Sequence, residues 1–151
     1  MAYSDILRGT SCDTNDVADL IDGTLIRYAQ FNSNTLVNTS STTLVNVAGS
    51  DCTVSVGTGE RALLVAAMNV SAGTAPAVVT FGVSANGADL AFGNNVTLPT
   101  GMTSGVNVVI PWVMVYEGLP GTITFRLRWS VDTGTAYSQY QRLVVLVFQN
   151  Y

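Results

Sequence analysis

The chain of 151 residues contains no histidine and no lysine, and its six cations are all arginine. Without those two residue types the usual general bases for a serine or cysteine nucleophile are missing, so the sequence reads as non-enzymatic. Charged residues make up only 11% of the chain, against about 25% in ordinary soluble domains. The net charge of −4 leaves no basic stripe to neutralise phosphates, so no direct nucleic-acid partner is expected. Two cysteines, Cys12 and Cys52, do not make a disulfide framework, and free thiols are expected. No apolar run reaches the roughly 18 residues of a membrane span, and no membrane partner is expected. The opening MAYSDILRGTSCD lacks the basic-then-apolar order of a secretory signal, which points to a soluble protein made in a cytoplasm.

What fills the space left by charge is apolar: hydrophobic residues are 48% of the chain. Serine, threonine, asparagine and glycine cover part of the surface, but so large an apolar share implies that some of it is hidden between subunits. At 151 residues the chain suits one domain.

Charge divides that chain in two. Residues 1–30 carry Asp5, Asp13, Asp16, Asp19 and Asp22 against Arg8 and Arg27, which is −3 of the total −4. Within this segment Val17, Leu20 and Ile21 stand at i, i+3 and i+4, with Thr14 or Asn15 as a cap and Gly23 as a stop, predicting a short helix. Leu25 and Ile26 read as the start of a strand, and FNSNT (31–35) as a polar connection. Residues 1–34 are therefore read as an N-terminal attachment arm and residues 35–151 as the body. The arm's Ile6, Leu7, Asp16, Asp19, Leu20, Ile21 and Asp22 are its candidate partner-binding residues. It is acidic and too poor in apolar residues for a core of its own.

From residue 35 the period is two. Ile123, Phe125, Leu127, Trp129 and Val131 alternate with Thr122, Thr124, Arg126, Arg128 and Ser130, a strand with one dry and one wet face. Further strands are predicted at 42–47, 52–56, 61–70, 76–85, 106–117 and 141–149, with weaker ones at 35–39, 88–92 and 135–139. The fold class is all-β: a two-sheet antiparallel jelly-roll sandwich with an N-terminal arm. Three strands, 62–68, 106–117 and 142–148, are apolar on both faces, so their sheet needs a second cover, and another copy of the chain is the expected one. Leu64, Val109, Val113, Val115, Val145 and Val147 are the candidate inter-subunit residues. Arg126 and Arg128, with Arg142 on a neighbouring strand, are read as meeting acidic groups of an adjacent subunit or simply water.

Two other motifs are weak. The run CDTNDVADLIDG (12–23) has oxygen ligands but not the calcium-loop spacing, and Asn69-Val-Ser and Asn95-Val-Thr match a glycosylation triplet only. No cofactor or metal is expected. Trp112 and Trp129 stand in phase with aliphatic neighbours and are expected in the core, and Pro111 requires an edge or bulge in its strand.

The succession TTLVNVAGS (42–50), GERALLVAAM (59–68), TFRLRWSVDTGTAY (124–137) and RLVVLVF (142–148) resembles the jelly-roll domains of tailed-bacteriophage virion proteins, among them capsid decoration proteins. The architecture is similar to that of the trimeric tumour-necrosis-factor and C1q folds. The resemblance covers residues 35–151 and implies a homotrimer on the exterior of a phage capsid, bound to the major capsid protein of the shell. A receptor- or carbohydrate-binding head domain of a tail fibre or spike is the alternative, with Tyr137 and Tyr140 as its ring candidates.

Overall fold

The computed structural model describes residues 25–73, 77–90, 94–98 and 108–149. The predicted short helix, Cys12 and the arm residues Ile6, Leu7, Asp16, Asp19, Leu20, Ile21 and Asp22 lie outside the described residues.

Among the described residues twelve strands follow in chain order: β1 (Leu25–Ser33), β2 (Val37–Thr39), β3 (Val45–Asn46), β4 (Cys52–Val56), β5 (Glu60–Ala72), β6 (Ala77–Ala85), β7 (Ala88–Asp89), β8 (Asn94–Leu98), β9 (Val108–Tyr116), β10 (Gly121–Val131), β11 (Ala136–Ser138) and β12 (Gln141–Gln149). They form two antiparallel sheets. In the first, the long strands lie in the order β1-β12-β5-β9, with β11 and β2 continuing its end. In the second, β4 and β3 flank one edge of β10, β6 flanks the other, and β8 and β7 lie beyond β6.

The alternation read in β10 decides how the sheets meet. Ile123, Phe125, Leu127, Trp129 and Val131 are all buried, against Phe81, Val79 and Val83 of β6 and against the inward row Ala62, Leu64, Ala66, Met68 and Val70 of β5. Facing apolar rows of this kind close a sandwich core about 10 Å thick. Trp112 and Trp129 are 5% and 2% exposed, as their phase required. The tightest hairpin, Ala85 to Ala88, turns through Asn86 and Gly87, both at positive φ (49° and 87°). That is the pairing a two-residue turn of matching twist demands, and Asn86 Oδ1 also accepts a hydrogen bond from Thr124 N at 2.9 Å.

Two boundaries differ from the sequence reading. Residues 25–33 are a full strand of the first sheet, paired with β12 from Leu25↔Phe148 to Ser33↔Gln141. A body starting at 35 therefore leaves out one of its own strands, because Asn32 is an outward residue of an alternating edge strand, with Phe31 turned to the core. β8 (Asn94–Leu98) is a further strand that the sequence reading did not predict; it opens on two asparagines, a residue type usual in turns.

Cys52 is a free, buried thiol whose Sγ lies 3.8 Å from the carbonyl oxygen of Leu143. Burial, with a smaller contribution from the neighbouring Asp51 charge, pushes it up to about 11. Only about one part in 10³ is thiolate at pH 8, and the thiolate is the reacting species. Iodoacetamide at pH 8 is expected to leave Cys52 unmodified in the native protein and to label it fully in urea, read by peptide mass. Equal labelling in both conditions would contradict the buried position.

Candidate functional site

The outer faces of the two sheets differ in chemistry. On the second sheet the outward side chains are polar and tied to one another: Thr53 and Thr124 share a hydrogen bond of 2.9 Å, Arg126 forms a two-bond ion pair with Asp51 (2.6 and 3.0 Å), and Arg128 reaches Asp89 at 3.4 Å. The Arg126 guanidinium holds the Asp51 carboxyl below the usual carboxylate range. Arg126 and Arg128 thus have acidic partners in their own chain rather than awaiting an adjacent subunit's. Arg142 is not beside them but on β12, in the other sheet.

On the first sheet the outward residues of the central rows are apolar except for Gln30. Pairing across β1-β12-β5-β9 aligns them in rows: Tyr28, Leu146, Leu63 and Val115, then Gln30, Val144, Val65 and Val113. The three strands read as apolar on both faces are therefore immediate neighbours, β12-β5-β9, and their second apolar faces merge into one surface. Tyr28, Val113 and Val109 are about two-thirds exposed, Val65 and Val115 about two-fifths. A contiguous apolar surface on a sheet marks a contact site more often than a solvated face.

Of the candidate inter-subunit residues, Val113 and Val115 lie on this surface, while Val109, on the same strand, lies past Pro111 at the cleft described below. Leu64, Val145 and Val147 do not: each is fully buried inside the chain's own sandwich. In a strand apolar on both faces, alternation alone does not say which half points inward. The outward half is Leu63, Val65, Val144 and Leu146, which the sequence reading missed. The register against β9 was the available signal, since Pro111 and Trp112 fix the phase of that strand and Trp112 pairs with Ala66.

Ion pairs bound the apolar rows at one end. Arg27 pairs with Glu60, whose carboxylate also accepts the Gly57 N–H at 2.6 Å, and Arg61 pairs with Glu117 at 3.2 Å. The Gly57 N–H and then Arg27 hold the Glu60 carboxyl below its ordinary range. At the other end, Asn32, Arg142, Ala67 and Pro111 form the next row, and beyond it Asn69 pairs with Val109. Ala67 is small, and the hollow above it is a cleft of about 450 Å³ whose lining includes Asn32, Asn34, Val109, Tyr140, Gln141 and Arg142. Tyr140 is about half exposed, while Tyr137 is partly buried, with its ring against Gly73.

No protein-family model matches the chain, and no curated protein matches it. Solved structures do. The VP2 subviral particle of infectious bursal disease virus aligns at a TM-score of 0.52 and 11% identity, over 81% of this chain and 33% of that one. T=1 particles derived from infectious bursal virus align at 0.50 and 10% identity, over 83% of this chain and 37% of that one. The chain spans about a third of the length of the VP2 chain that it matches. A pentameric capsid protein from metagenomic phage sequences matches over 99% of this chain and 76% of its own, but at a TM-score of 0.37 and 13% identity it carries no weight. The likeness to VP2 is one of fold: an all-β sandwich of two antiparallel sheets.

Proposed function

We propose that this chain is a non-enzymatic structural protein of a virus particle that assembles with copies of itself through the outer face of β1-β12-β5-β9. The asymmetry between the two outer faces carries the reading: one is polar with its charges paired internally, the other is an apolar surface in need of a cover. The strand order, with β1-β12-β5-β9 opposed to β4-β10-β6-β8, supports a jelly roll, an architecture used by viral capsid domains. The likeness to VP2 is in keeping with a virion role.

In this reading the protein is a homotrimeric decoration protein on the exterior of a phage capsid, and its partner is the major capsid protein of the shell. Residues 25–149 form the body. The attachment arm is confined to residues 1–24, which hold five aspartates and one arginine, while residues 25–151 hold five carboxylates and five arginines and are neutral. A ligand that binds only the assembled lattice stabilises that lattice, and three arms on one trimer raise effective affinity without new kinds of contact. No covalent chemistry is involved.

Co-sedimentation with purified shells that lack the protein tests this. The full chain is expected to bind saturably. A chain lacking residues 2–24 is expected to keep its oligomeric state and to lose shell binding by at least tenfold. Undiminished decoration by the truncated chain would remove the arm from the reading, and no binding by the full chain would remove the shell.

A further inference from the structure

We propose that the cleft at the Ala67 end of the first sheet binds a sugar that carries a carboxylate. The inference goes beyond shell attachment and does not depend on it. Three features of the cleft converge on that ligand chemistry.

The first is an uncompensated cation. Of the five arginines among the described residues, Arg27, Arg61, Arg126 and Arg128 each have a carboxylate partner in the chain. The remaining carboxylate, Asp132, is engaged by the Val78 N–H at 2.7 Å. Arg142 is exposed and has no carboxylate partner among the described residues. Among the described residues its planar fork of donors faces no carboxylate, and it suits one carried by a ligand, which it binds in bidentate fashion.

The second is a set of amides beside that cation. Asn32 and Asn34 are exposed at the cleft, and an amide presents both donor and acceptor, as hydroxyl groups require. Gln141, only 1% exposed and on the inward phase of β12, donates its Nε2 to the Thr35 carbonyl (3.2 Å) and Ser138 Oγ (3.0 Å), which ties the residue after Asn34 to the start of β12.

The third is a positioned ring. Tyr140 sits in the β11–β12 turn, and Asn69 fixes that turn from β5. Asn69 Oδ1 accepts from Tyr140 N (2.7 Å), Gln139 N (2.9 Å) and Ser138 Oγ (3.2 Å), while Asn69 N donates to the Tyr140 carbonyl (3.0 Å). Because the turn is already held, little ordering remains to be done on binding. The ring offers an apolar face for the C–H side of a sugar, and Ala67 and Val109 continue that surface below it. A volume of about 450 Å³ lies within the roughly 300–1,000 Å³ of small-molecule sites. A neutral sugar would use the amides and ring but not Arg142, and a simple anion would use Arg142 alone.

Titration of the full chain, followed by saturation-transfer NMR and calorimetry, separates these cases with four probes: D-glucuronate, N-acetylneuraminate, D-glucose and acetate. At least one of the two acidic sugars is expected to bind with a dissociation constant near or below about 1 mM, more tightly than glucose or acetate. Arg142→Gln is expected to weaken it about tenfold or more, the usual loss for a hydrogen bond to a charged group. Arg142→Lys should recover only part of it, and Tyr140→Ala should weaken it while leaving acetate unaffected. Both side chains are exposed, so circular dichroism should be unchanged in all three variants. Absence of binding by both acidic sugars, equal binding of acetate, or affinity unchanged in Arg142→Gln would each overturn the proposal.

Discussion

Replacing Val65 and Val113 together with glutamate is expected to convert the assembled protein into 15.9 kDa monomers. The two residues face each other across the β5–β9 pairing and are 38% and 64% exposed in the single chain. Charge there is solvated when the chain is alone, and the like-charge pair costs the fold no more than about 1 kcal/mol. Buried against another copy, the same carboxylates would be uncompensated, at about 3–5 kcal/mol per site, which weakens association by roughly 10²–10³-fold or more. Sedimentation equilibrium should show three times 15.9 kDa for the wild type and one for the variant. The matched control is Thr53→Glu with Thr124→Glu, a cross-strand pair on the polar sheet, which should leave the assembly intact. A wild-type monomer at micromolar concentration, or a double variant that sediments as the wild type does, would place the contact elsewhere or remove it.

Trp129→Ala is expected to cost about 3–5 kcal/mol of folding stability, the range for truncating a buried aromatic residue. Trp129 is 2% exposed and lies between Phe81 of β6 and Val45 of β3 in the register of the second sheet. The chain cannot collapse into the space because both neighbours are pinned by their own strands, so transfer and cavity costs add. With a urea dependence of about 2 kcal/mol/M, the midpoint should fall by roughly 2 M. That is a large share of the 5–15 kcal/mol typical of a domain. The comparison is made at one protein concentration, because self-association would stabilise the folded state by mass action. Val113→Ala, an outward residue, should move the midpoint of the isolated chain by no more than about 0.5 kcal/mol in equivalent stability. A small effect at Trp129 would mean that β10 does not face a packed core.

Much of the fold was legible because side-chain period is a local property. β10 shows it best: five apolar residues at spacing two were read as one face, and all five are buried. The same locality limits the reading. Leu64, Val145 and Val147 were assigned outward because their strands are apolar in both phases, and only pairing with other strands settles the phase. Asn32 and Ser33 looked like a connection, although β12 gives them partners more than a hundred residues away. The ion pairs of Arg126 and Arg128 span 75 residues (to Asp51) and 39 residues (to Asp89). The cleft draws on Asn32, Ala67, Val109 and Arg142, one residue from each long strand of the first sheet, so no stretch of sequence contains it.

Pro111 was foreseen as a sign of a sheet edge, and β9 does lie at the margin of the first sheet, pairing with β5 alone among the described residues. A bare strand margin is a template on which further strands can be added without limit, the route to fibres. Proline in the middle of β9 has no N–H to offer an incoming strand. Growth of the sheet sideways is thereby discouraged, and in the proposed assembly copies meet through faces, where a rotation can close the assembly at a finite number of members. One imino acid in the right strand thus favours a closed ring over an open filament.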